Sequence, residues 1–212
     1  MRWQVAQSAE WRWWKNYLRN RPVDPYLEWK RGYWRGVLKH VENIHPLAPG
    51  AQLLDAGCGP AGIYTILDQQ HVTAFDPLLD RYAKELDHFS AASYPWVKFS
   101  QMKMEELGDQ EMYDAVFCLN VINHVENLPL SISNLVKACK PGGIVAMSID
   151  AHNHRWAKPI YRSIPFDILH PHQYDLEEYS ALLRSHGSEL LDSILLKEGF
   201  WFNHYLLVAK RY

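Results

Sequence analysis

A chain of 212 residues, 48% of them hydrophobic, is long enough for one α/β domain with a packed core. Its formal charge of −2 gives no bulk attraction for nucleic acid, and no run of about 18 apolar residues suggests a membrane span. Met1-Arg2-Trp3-Gln4 lacks the apolar stretch and cleavage site of a secretory signal, and Cys58, Cys118 and Cys139 form no CxxC pair, which fits reduced thiols in the cytoplasm.

The N-terminal stretch is unusual in composition. Six of the nine tryptophans (Trp3, Trp11, Trp13, Trp14, Trp29, Trp34) lie in it, and residues 1–39 carry nine Lys/Arg against three Asp/Glu. Ser8 is placed to cap a first helix in which Trp11, Trp14 and Leu18 share a face. Asp24-Pro25 is a start signal for a second helix, along which Leu27, Trp34, Val37, Leu38, Val41 and Ile44 keep a helical period. Pro46 and Pro49-Gly50 stop it. Residues 1–49 thus read as a helical cover. Three uses are open to it: packing on a sheet, a lid over a substrate pocket, or basic aromatic helices lying on a membrane surface or stacking on single-stranded nucleic acid.

Residues 53–62, Leu-Leu-Asp-Ala-Gly-Cys-Gly-Pro-Ala-Gly, then read as a buried strand, a glycine turn and the opening of a helix. Gly57 and Gly59 allow tight-turn dihedrals and a close approach of ligand to backbone, while Pro60 suits a first helical position. Residues 57–62 satisfy G-x-G-x-x-G, so a dinucleotide has to be considered. Asp55 argues otherwise, because a carboxylate at the strand end repels a pyrophosphate and attracts an amino group. A second strand ends in Asp76, 21 residues after Asp55, where an acid can accept from both ribose hydroxyls of an adenosine.

Onward the chain alternates. Strands are expected near 51–56, 72–76, 96–100, 114–119 and 143–149, and helices near 60–69, 78–90 and 127–139. That alternation predicts a parallel sheet covered on both faces. Asp175-Leu-Glu-Glu178 is a capping-box start to a last helix, stopped by Gly187. The runs 190–196 and 204–209 then read as an antiparallel pair.

Asp55-Ala-Gly-Cys-Gly-Pro-Ala-Gly, Asp76-Pro77, Asn120-Val-Ile-Asn-His124-Val and Lys140-Pro-Gly-Gly143, in that order, resemble the landmarks of class I S-adenosylmethionine-dependent methyltransferases, most of all the small-molecule enzymes of the type 11 group. The resemblance covers residues 50–212. It implies a Rossmann-like, doubly wound α/β fold with a mostly parallel seven-stranded sheet ending in the C-terminal antiparallel hairpin, beneath the N-terminal cover.

It also implies a site for S-adenosylmethionine. Asp55 would take the methionine amino group, directly or through water, and Ala56, Gly57, Cys58 and Gly59 would approach the methionine part. Asp76 would hold the ribose, Pro77 and the Met104-Glu105 pair the adenine, and Asn120 would meet the cofactor near its sulfur. Lys103 and Asn123 depart from the acids common at those places. Methyl transfer to an oxygen benefits from a base, and histidine suits neutral pH. The candidates are His124 after the fourth strand, His152 with His154 after the fifth, and His170 with His172 before the last helix. The two H-x-H pairs lack a nearby carboxylate or cysteine cluster, so no metal is expected. A small-molecule acceptor is the expected partner. An oxidoreductase using NAD(P), or a binding subunit that retains the fold without catalysis, are the alternatives.

Overall fold

The apolar runs line up as one seven-stranded sheet in the computed structural model, which describes residues 2–152 and 174–212. Strands β1 (Gln52–Ala56), β2 (His71–Phe75), β3 (Val97–Ser100), β4 (Tyr113–Cys118) and β5 (Cys139–His152) run parallel; β6 (Ser188–Lys197) and β7 (Phe202–Arg211) form the hairpin. The order is β3-β2-β1-β4-β5-β7-β6, with β7 antiparallel to both neighbours. At 14 residues β5 is longer than its apolar run, because β7 pairs with it from Ile144 to His152.

Successive residues on a strand face opposite ways, so each strand feeds two layers. Leu53, Phe117, Ile144 and Val208 pack with helices α1 (Arg2–Leu18), α2 (Val23–Ile44) and α3 (Leu79–Glu85), through Trp11, Leu18, Trp34, Val41 and Tyr82. Leu54, Val116, Val145 and Leu207 pack on the other face with α4 (Leu128–Ala138) and α5 (Leu176–Ser185). The doubly wound arrangement results from that alternation. Two helix starts are as expected: Asn127 accepts from the Leu130 N–H at 3.1 Å, and Asp175 and Glu178 form a reciprocal capping box.

Three expectations need correction. Helix α1 begins at Arg2, so Ser8 lies in its interior rather than at its cap. Helix α2 begins at Val23 behind Pro22, which puts Asp24 in the first turn instead of at the cap. The helix expected over 60–69 is a single 3-10 turn, Ile63–Ile66. The hydrogen bonds explain the last difference. The Tyr64 N–H, which would bond to the Pro60 carbonyl in an α-helix, goes to Asp55 Oδ2, while the Tyr64 hydroxyl donates to that carbonyl. The Ala61 carbonyl is taken by Trp34 Nε1 at 2.8 Å, and the Thr65 N–H turns to Gly62.

The Trp34 bond pins α2 to the loop after β1. Trp34→Phe should leave the buried Ala61 carbonyl without this donor and cost about 1–3 kcal/mol, read as a lower midpoint in urea with an unchanged slope.

Candidate active site

Between β1 and β4 the strand order reverses, and in an open α/β sheet a ligand crevice forms beyond the strand ends at such a point. Gly57 and Gly59 turn the chain there with φ of 72° and 57°. Their amides do not point freely at solvent, as a helix opening would have arranged. The Gly57 and Cys58 N–H groups donate to the Phe75 carbonyl at 2.8 and 3.0 Å, clamping the corner to the end of β2.

Asp76 comes directly after. It is 4% exposed; its Oδ2 accepts from the Gly59 N–H at 3.0 Å and its Oδ1 from the Leu78 N–H at 2.8 Å. Each oxygen keeps acceptor capacity, since a carboxylate offers about four lone-pair sites. Asp55, 2% exposed, sits behind the corner: the Tyr64 N–H bonds to its Oδ2, and Gly62 is crowded against the same oxygen. In this structure Asp55 supports the loop, and Ala56 is likewise buried inside the sheet.

A cavity of about 380 Å³ lies over this corner. Its floor is Gly57, Cys58, Gly59, Asp76, Asn120 and His124, all expected from the sequence. Its roof comes from α1 and α2: Trp13, Trp14, Tyr17, Trp29, Trp34, with Glu10 and Lys30. A recess of about 30 Å³ adjoins it between Asp76-Pro77 and Met104-Glu105. Gly57, Asp76, Glu10 and His124 line both spaces, which are thus neighbours along one crevice.

At the far side of the recess Glu105 braces the structure. Glu105 Oε1 accepts from the Glu126 and Asn127 N–H groups and the Ser131 hydroxyl, tying the 3-10 turn at 104–106 to the start of α4. Lys103 pairs with Glu126 at 3.5 Å. Asn120, at a φ of 59°, is held by Ser148: its N–H donates to Ser148 Oγ at 2.7 Å, and that hydroxyl donates to Asn120 Oδ1 at 3.0 Å. Asn123 is buried and accepts from the Tyr179 hydroxyl at 2.8 Å, linking the loop to α5.

The histidines divide. His124 faces both spaces. His152, expected beside the pocket, is buried against Phe202 of the hairpin at a centroid distance of 4.3 Å and lines neither space, because the β5–β7 pairing carries it there. His154, His170 and His172 lie outside the described residues.

Glu10 and Lys30 do not stand out in the sequence as site residues, yet each leaves a trace there. Glu10 is the one acid before Asp24, one helical turn from Trp13 and Trp14. Lys30 precedes Tyr33 and Trp34 by three and four residues, and its Nζ lies 4.3 Å from the Trp34 ring centroid. Burial raises the Glu10 carboxyl to about 8, with Asp76 adding repulsion, and burial also holds Asp76 and Asp55 above the usual carboxylate range. Burial lowers Lys30 to about 8, against the attraction of Asp55.

These shifts set the sign of the pH dependence. An acid with a raised folded-state pKa favours the fold most where it is protonated in both states, and that contribution is lost as pH rises from about 4.5 towards 8. The ligand-free protein should melt at progressively lower temperature between pH 5 and 8.5, and Glu10→Gln should flatten that slope. Scanning calorimetry at five pH values measures both.

The methyltransferase-domain family model matches residues 26–193 of the chain. The ubiquinone biosynthesis O-methyltransferase of Rickettsia canadensis (strain McKiel) is 38% identical over 120 residues, covering 53% of this chain and 46% of that protein. The chain spans about half the length, or less, of the curated relatives it matches. Among solved structures, the Burkholderia thailandensis 1,6-didemethyltoxoflavin-N1-methyltransferase, with 1,6-didemethyltoxoflavin and S-adenosylhomocysteine bound, superposes with a TM-score of 0.64 at 15% identity, over 98% of this chain and 88% of that one. The [4+2]-cyclase SpnF gives 0.65 at 15% identity, over 82% and 79%. These two likenesses concern the fold.

Proposed function

The chain belongs to the class I S-adenosylmethionine-dependent methyltransferases, and from that premise we propose that it moves the cofactor's methyl group to an oxygen of a small acceptor held under α1 and α2. The observation that carries this reading is the convergence of Asp76, the glycine corner and the Met104-Glu105 recess on one crevice. The name of the Rickettsia relative supports oxygen as the methylated atom.

The residues fit the cofactor. Asp76 retains lone pairs for two ribose hydroxyls, Pro77 and Met104 offer apolar faces for an adenine, and Gly57 to Gly59 admit the methionine chain. Lys30 is the one lysine or arginine among the described residues lining the cavity, and it suits the methionine carboxylate. When bound, the cofactor supplies a methyl group already activated on a sulfonium sulfur, so the protein's work is mainly alignment and exclusion of water. Trp13, Trp14 and Trp29 roof the cavity rather than all facing outward, which favours the lid among the uses open to residues 1–49. No described helix is long and apolar enough to cross a membrane. An aromatic roof suits a ring or another flat apolar acceptor.

Isothermal titration with S-adenosylhomocysteine, then turnover of labelled S-adenosylmethionine across phenols, catechols and sugar alcohols, tests the proposal. Saturable binding and labelled product from a hydroxyl acceptor are expected. A folded protein that ignores S-adenosylhomocysteine would falsify it.

A further inference from the structure

Helix α1 lies lengthwise along the crevice. Gln7 and Glu10, one turn apart, line the recess; Glu10 also lines the cavity, which continues under Trp13, Trp14 and Tyr17. The Trp14 ring comes within 3.4 Å of the point where a Cβ on Gly59 would stand, so the helix rests on the glycine corner. In chain order its inner face therefore passes from the Pro77 and Met104 recess to the corner.

Most hydrogen-bond acceptors around the recess are already engaged. Glu105 Oε1 takes three donors, and the Met104 and Glu105 carbonyls accept from Asn134 Nδ2 at 3.2 and 3.1 Å, which turns them towards α4. Lys103, standing where the resembling enzymes commonly carry an acid, has a side chain that can only donate. Gln7 differs. Its Nε2 donates to Glu10 Oε2 at 3.1 Å, which orients the carboxamide. Its Oε1 is shielded from solvent and has no hydrogen-bond partner among the described residues. A buried carbonyl oxygen left in that state is costly, so a donor is called for.

Adenine carries such a donor in its exocyclic amino group, and a glutamine carboxamide is a side chain that matches that edge of the base. Pro77 and Met104, in the same recess, offer the base its apolar faces. We propose that Gln7 reads the cofactor's base, its Oε1 accepting from the exocyclic amino group, so that α1 selects adenine over a purine with an oxo group in that place. The inference rests on the methyltransferase reading and deepens it: α1 becomes a wall of the cofactor site as well as a roof over the acceptor. Hypoxanthine has a carbonyl where adenine has its amino group, so two acceptors would face each other and neither would find a proton.

Isothermal titration of the full chain with S-adenosylhomocysteine and with its deaminated analogue, S-inosylhomocysteine, tests this. The wild type should bind the adenosyl ligand about tenfold tighter or more. Gln7→Met, close to glutamine in length and helix propensity, should weaken S-adenosylhomocysteine about tenfold and leave the inosyl ligand within about twofold. The preference should thus nearly vanish, a change that a prop for the helix would not produce, since it would weaken both ligands alike. NMR of the wild type needs no substitution: the Gln7 side-chain carbonyl carbon signal should move when S-adenosylhomocysteine saturates the protein, and move much less with the inosyl ligand. Equal affinity of the wild type for the two ligands, a Gln7→Met protein that keeps the wild-type preference, or an unmoved Gln7 signal overturns the inference, while bound S-adenosylhomocysteine leaves the methyltransferase reading standing. A folded wild type that binds neither ligand sinks that reading, and the inference with it.

Discussion

Asp76→Asn is expected to weaken S-adenosylhomocysteine binding about a hundredfold while the protein still folds. The amide has one acceptor oxygen and no charge, so it cannot receive the Gly59 and Leu78 N–H groups and two ribose hydroxyls together. Hydrogen bonds to a charged group are each worth about 1.5–3 kcal/mol, so losing the better part of two costs about 3 kcal/mol, or roughly two powers of ten in affinity. Isothermal titration reads this directly. A Kd within threefold of wild type would show that the acid at the end of β2 is a brace for the glycine corner and nothing more. Asp55→Asn is the contrasting case. Its carboxylate faces Tyr64 rather than the cavity, so its effect should appear in stability before it appears in affinity.

The second large effect concerns packing at Gly62. A Cβ there would meet Asp55 Oδ2, the Cys58 carbonyl at 2.5 Å and the Tyr64 ring at 3.0 Å. None of these can retreat cheaply: Asp55 is held by the Tyr64 N–H, and the Cys58 N–H is bonded to Phe75. Gly62→Ala should therefore destabilise the fold by about 3 kcal/mol, near the top of the range for overpacking, which lowers the melting temperature by about 6–12 °C. Gly36→Ala is the internal control. Nothing lies within 4 Å of a Cβ at that position of α2, and the gain in helix propensity should stabilise the protein by about 0.5–1 kcal/mol. Thermal melts that move in the same direction for both variants would remove the steric argument.

The order of elements was legible because local signals agreed with one another. Short apolar runs in 52–56 and 113–118 specify buried strands whichever partner they find, and Asp175 with Glu178 can cap only the helix that begins at Leu176. The lining of the crevice was legible where it comes from a short motif: the glycine corner, Asp76 and the Met104-Glu105 pair all lie along it. It was not legible where a side chain could serve either of two partners. In the sequence Asp55 reads as a ligand for an amino group; the fold also gives it the Tyr64 amide, nine residues away.

The cover shows the same division. Composition alone marks residues 1–49 as aromatic and basic, yet which of them face the cavity, among them Glu10, Trp14, Trp29 and Lys30, is chosen by how α1 and α2 lie across the corner. His204 is the sharper example. In the sequence it is one of eleven histidines; in the fold its Nδ1 lies 2.8 Å from Asp150 Oδ1.

From the chain alone came the strands, the hairpin, the glycine corner and the acids at the ends of β1 and β2, since periodicity and turn chemistry act over a few residues. Which acid faces the crevice, which helix roofs it and which histidine meets a carboxylate were settled by folding. Those outcomes depend on contacts between residues 9 to 54 positions apart, and no local pattern encodes them.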